Sequence, residues 1–175
     1  MSERIRIVPK DLEGDPANPA PRILGTVAKH PHLLAPMLQF SSAIASGVLP
    51  RRASEILALR ASWNCQSQFE WENHVGYGLA AGLSDEEIAR LAGGDPSEGW
   101  TPEDAALVRA ADELHAGQDI QDKTWAALAS SWSEAQLIEI PFVVGQYTML
   151  SMVAKSTGVP VDPAKPKLPI SRPSS

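Results

Sequence analysis

The sequence has one cysteine, Cys65, so no disulfide can form within the chain and no disulfide framework holds it together. A cytoplasmic protein is the default expectation for such a composition. Basic residues are in the minority. There are 15 Lys and Arg against 21 Asp and Glu, for a net charge of -6. No Lys/Arg face offsets that excess, and a surface of this sign repels phosphates, so nucleic acid is not expected as a partner. Long apolar runs are also missing. The first residues, MSERIRIVPKDLEGD, hold no stretch of signal-peptide length. No run reads as the roughly 20 apolar residues that span a bilayer, so no membrane association is expected. Sustained strand-type alternation is absent, and no repeat of fixed period occurs. The β-looking patch IPFVV sits inside a helical period.

What is present is a series of helical segments with clear ends. Residues 1–20 carry Pro9, Pro16 and Pro19 and read as an extended arm. Helical patterns follow over 21–29 and 32–46, the second with Pro36 in its first turn and Gly47 as its stop. Residues 51–63, RRASEILALRASW, are apolar nearly all round, which marks a helix buried among others. A helix over 67–81 stops at Gly82. Ser84 and Glu87 form a capping box that opens a short helix to Leu91. GGDPSEG is a turn. Thr101-Pro102-Glu103 opens a helix to about His115, and another covers 122–131. Ser133 and Gln136 cap a long apolar helix that ends at Gly158, with a kink or restart expected at Pro141. The proline-rich tail, 159–175, reads as extended, and either disordered or laid along a neighbour. At 175 residues the chain is one domain, 21–158, with an arm before it and a tail behind.

The chemistry concentrates between Glu55 and Gly78. Ser67, Glu70, His74 and Gly78 are spaced by three, four and four, which places them on one stripe of an otherwise apolar helix. A polar stripe of that kind must be hydrogen-bonded or lead to water. Gly78 is expected to leave room for a ligand one turn past His74, with Trp71 beside it. Glu55 lies in the preceding apolar helix. If the two helices form an antiparallel hairpin, Glu55 faces His74, and an imidazole beside carboxylates is a proton-transfer device near neutral pH. Each feature has a plainer reading. Ser67 and Glu70 also fit a capping box. Glu55 can pair with Arg51 or Arg52. His74 can be a satisfied core histidine. Gln146 and Tyr147, in the long apolar helix, line the same pocket or fill the core. His30 and His32 look like a metal pair but lack a third ligand nearby, so no metal or other cofactor is expected. His115 suits a helix C-terminus. The tryptophans at 63, 71, 100, 125 and 132 suit core or interface positions.

The stretch RRASEILALRASWNCQSQFEWENHVGYGLAAGLSDEEIARLA resembles the core of the carboxymuconolactone decarboxylase-like family, within the alkylhydroperoxidase D-like superfamily. DELHAGQDIQDKTWAAL and QLIEIPFVVGQYTMLSMVAKSTGVPVDP resemble its longer members, so the likeness spans about residues 20–163. The resemblance implies an all-α bundle built around an antiparallel helix hairpin. It also implies trimers or hexamers with sites near subunit contacts; a dimer is the runner-up. The peroxidase branch carries Cys-x-x-Cys where this chain has Ser67 and Glu70. Cys65 is two residues too early and has no resolving partner, so dithiol peroxide reduction is not expected. The decarboxylases keep the residues matching Glu55 and His74. The expectation is therefore cofactor-free acid–base catalysis (decarboxylation, hydration or isomerisation) on a small organic acid or lactone. His74, Glu55 and Glu70 would be catalytic; Ser67, Trp71, Gly78 and Tyr147 would contact substrate. The alternatives are an antioxidant activity using Cys65, and a non-catalytic oligomeric binding protein.

Overall fold

The computed structural model describes residues 20–93, 95 and 98–169. Residues 1–19 of the arm expected over 1–20, part of the GGDPSEG turn and the end of the tail lie outside them, and Ala20 already belongs to the first helix. Eight helices follow one another: α1 (Ala20–Val27), α2 (Pro31–Ala45), α3 (Arg51–Asn64), α4 (Gln68–Ala80), α5 (Asp85–Leu91), α6 (Pro102–Gly117), α7 (Asp122–Ala129) and α8 (Glu134–Thr157). No strand occurs among the described residues. The fold is the all-α bundle the sequence implies.

Helix α3 is the axis, and α4, α6 and α8 pack around it. Every residue from Ala53 to Trp63 is buried, as expected of a helix without a polar face. Ile56, Leu57 and Leu59 are fully enclosed, each contributing on the order of 1.5–3 kcal/mol of burial. Two arginines on this helix tie it to its neighbours. Arg60 makes a fork to Asp112 at 2.6 and 2.8 Å and donates to the Leu91 carbonyl at 3.0 Å. Arg52 reaches Glu87 and Asp104, joining α3 to α5 and α6.

α3 and α4 form the expected antiparallel hairpin. At its tip Ser67 N–H donates to the Ser62 carbonyl at 2.9 Å, and farther down Glu55 meets His74. The contacts thus run in opposite order along the two helices. The sharp reversal places Gln66 in the left-handed region, φ 49°.

The capping boxes of α5 and α8 form as the sequence reads, and Thr101 caps α6. The third box does not form. Ser67 is the N-cap residue of α4, yet its side chain makes no cap hydrogen bond, and Glu70 turns toward His74 instead. Helix α8 runs through Pro141 with no restart. It is also long and apolar enough to cross a membrane by length and composition, which the sequence reading set aside, although 44% of the relevant window is buried inside this fold.

The folded unit continues past residue 158. Val159 joins Ile23, Phe69 and Ala154 in a small apolar cluster. Asp162 N–H donates to Glu72 at 2.9 Å, Arg22 donates to the Pro160 carbonyl at 3.1 Å, and Leu168 N–H donates to Gln68 at 2.7 Å. The described part of the tail is therefore a strap across α1 and α4 of its own chain.

Candidate functional site

The hairpin brings Glu55 from α3 against His74 from α4. Their Oε2 and Nδ1 atoms are 2.7 Å apart, and both residues are buried. Arg51, one turn before Glu55, holds its other oxygen at 2.6 Å. Both sequence alternatives for Glu55 are thus realised together: it pairs with Arg51 and with His74. With Nδ1 committed to Glu55, the far nitrogen Nε2 faces Glu70 Oε2 at 3.9 Å. Tyr147 of α8 packs edge-on against the imidazole with ring centres 4.3 Å apart, and Tyr77 does so from outside at 5.6 Å.

These groups border a cavity of about 460 Å³ between α1, α2, α4 and α8. Glu70, Asn73, His74 and Tyr77 line it from α4, Gln146 and Tyr147 from α8, and Arg51 from the start of α3. Ile23, Phe69 and Leu150 supply apolar wall. Burial raises Glu70 from its ordinary 4.5 to about 7, although the neighbouring His74 opposes the rise. Burial also pushes the Tyr147 hydroxyl well above its ordinary value, reinforced by the Glu55 and Glu70 carboxylates. Near neutral pH Tyr147 is therefore a neutral donor, and Glu70 exchanges a proton readily. An imidazole oriented by one carboxylate, with a second carboxyl near its own midpoint on the other side, is equipped to move protons.

Residues 31–113 match the model of the carboxymuconolactone decarboxylase family. They include Glu55, Glu70 and His74 but not Tyr147. Over those residues the chain is similar to the carboxymuconolactone decarboxylase family. Solved structures agree on the fold. A putative antioxidant defence protein AhpD from Agrobacterium tumefaciens superposes with a TM-score of 0.71 at 19% identity, covering 77% of this chain and 94% of that one. A variant of the debrominase Bmp8, in complex with 2,3,4-tribromopyrrole, gives 0.74 at 12% identity over 94% of each chain. The alkylhydroperoxidase AhpD core of a peroxidase-related protein from Ralstonia eutropha gives 0.70 at 14%, covering 79% and 75%. No curated protein matches by sequence.

The chain departs from the expected stripe in an ordered way. On a helix with about 100° per residue, Glu70, Asn73, His74 and Tyr77 share one face, whereas Ser67, Trp71 and Gly78 are rotated away from it. Gly78 does not open onto the cavity. A Cβ there would lie 3.0 Å from Leu59 and 3.1 Å from Leu83, so its missing side chain lets α4 close on its neighbours. Trp71, 2% exposed, is part of the main core and not of the cavity wall. Ser67 is fully buried, with its hydroxyl unpartnered at the helix start, and does not line the cavity. Asn73, Tyr77 and Gln146 line the cavity instead. Asn73 precedes His74 directly and Tyr77 follows it by three residues, and choosing them requires knowing which face α8 covers.

The lone thiol is elsewhere. Cys65 caps the C-terminus of α3, ten residues from Glu55 and so about 15 Å along the helix. Its Sγ lies 3.8 Å from the Thr148 hydroxyl. His115 sits in the last turn of α6. His30 and His32 are exposed, and among the described residues no group of three or more His, Cys, Asp or Glu could hold a metal ion.

Proposed function

We propose that the protein is a cofactor-free acid–base catalyst acting on a small organic acid or lactone, by decarboxylation, hydration or isomerisation. The observation that carries this reading is the single imidazole held at 2.7 Å by Glu55 and faced at 3.9 Å by Glu70 on the wall of a cavity. In this mechanism His74 Nε2 takes a proton from the acidic carbon or hydroxyl of the substrate. Glu55, braced by Arg51, holds the imidazole in register and stabilises the positive charge that develops on it. Glu70, protonated below about 7, returns a proton at the second position. Tyr147 donates a hydrogen bond to the oxygen that gains negative charge.

The match of residues 31–113 to the family model supports an enzymatic role, and a debrominase with this fold holds a small ring compound. The antioxidant alternative would rest on Cys65, which has neither a second thiol nor the Glu55–His74 pair within reach. The screen that tests the proposal incubates the full-length protein in D2O with a panel of lactones, enol acids and 2-oxo acids and follows them by proton NMR. The expected result is catalysed exchange or turnover of at least one member. A panel left unchanged beside the buffer control, together with steady peroxide consumption that needs Cys65, would overturn it.

A further inference from the structure

Three buried side-chain oxygens on the cavity wall have no hydrogen-bond partner: Glu70 Oε1, Asn73 Oδ1 and Gln146 Oε1. They come from two of the helices that line the cavity, α4 and α8. The orientation of Asn73 is fixed, because its Nδ2 donates to the Phe69 carbonyl at 2.7 Å and leaves the oxygen, an acceptor only, unpaired. Gln146 is buried, 5% exposed. A buried acceptor without a donor is costly, and one such atom in a wall is unusual. Three in one cavity make a surface that is satisfied only by a ligand bringing donors. Arg51 is engaged with Glu55, which leaves the hydroxyls of Ser41, Tyr77 and Tyr147 as the donors on the wall.

We infer that the cavity selects small molecules carrying an N–H or O–H donor beside the reacting centre, with Asn73 and Gln146 as the specificity-determining acceptors. Cyclic amides, hydroxy acids and enols belong to this class. A plain ester or lactone of the same shape does not, because its ring oxygen sets another acceptor against acceptors. The inference rests on the cavity being the substrate site and narrows the ligand class proposed for it.

The ring pair pyrrolidinone and butyrolactone differs only in N–H against O. Each is titrated into the full-length protein and its binding read by NMR shift changes. The lactam is expected to bind about tenfold or more tightly than the lactone, as one buried donor–acceptor pair would give. Asn73→Leu and Gln146→Met, checked for native helicity by circular dichroism, each move the ratio toward one. Gln146→Glu, which keeps an acceptor, preserves it. Equal binding, preference for the lactone, no measurable lactam binding, or a ratio unmoved in both acceptor-deleting variants would overturn the inference. His74→Ala keeps the lactam preference. A native protein that shows the preference but catalyses no proton exchange would therefore refute the acid–base reading and leave this inference standing, and catalysis without the preference would do the reverse.

Discussion

At the scale of single residues, the charge state of Glu70 has two consequences. Its carboxyl is raised from 4.5 to about 7 in the fold, so the folded chain holds its proton more tightly than the unfolded chain. Such a group favours folding at acid pH. That advantage fades as pH rises from about 4.5 through 7, because the unfolded chain ionises more readily. The separation corresponds to on the order of 3 kcal/mol at most. Glu70→Gln removes the ionisation, so its melting temperature should exceed that of the native protein at pH 8 and converge with it near pH 4. A variant less stable than native at pH 8 would contradict the assignment. In activity, Glu70 as proton donor predicts a rate that falls above about pH 7, and Glu70→Gln should be slow at every pH and lack that descent. Glu55 differs, since it is both a partner of His74 and a link to Arg51. Glu55→Ala leaves His74 Nδ1 without its acceptor and should cost about 1–3 kcal/mol of stability as well as activity, measured by denaturant titration.

At the scale of helices, the rotation of α4 decides which residues matter. Gly78 packs between Leu59 and Leu83, so Gly78→Leu should destabilise by about 1–3 kcal/mol through overpacking, while the folded fraction keeps native turnover. Lost turnover at native stability would return Gly78 to the site. The starts of α5, α6 and α8 were legible because they carry local chemistry: Ser84, Thr101 and Ser133 cap where their sequences say they should. Glu55 and His74 were legible because a carboxylate in an all-apolar helix needs a partner, and the hairpin supplies one. The cavity-facing residues Asn73 and Tyr77 were not. Helical spacing shows that 67, 70, 74 and 78 are near one another but cannot fix the centre of the face within about a quarter turn, and that is set by where α8 and α1 lie. The tail was illegible for a related reason. Its prolines announce extended chain, but the carboxylate of Glu72 and the amide of Gln68, which receive it, lie some 90 to 100 residues away. Removing residues 159–175 takes those donors from Glu72 and Gln68 and should lower the melting temperature measurably.

At the scale of the whole molecule, α2 and α8 expose much apolar surface. Leu33 is 55% exposed, Ile138 60%, Phe142 51% and Met152 63%, and Phe40, Phe142 and Met149 line an apolar groove. Patches of this extent are usually covered by another surface. The expected assembly is a trimer or hexamer, with a dimer as runner-up. Light scattering should give a multiple of 18.8 kDa, reduced by Phe142→Glu, and a monomer mass at micromolar concentration would refute it. The central claim concerns the imidazole between two carboxylates, and it is tested most directly by His74→Ala. Melting temperature and turnover are measured on the same preparation, with a substrate found in the D2O screen. Loss of a positioned acid–base group predicts turnover lower by about 10²–10⁴-fold in a protein whose helical content stays native. Native turnover by folded His74→Ala would show that the histidine is only a structural partner of Glu55.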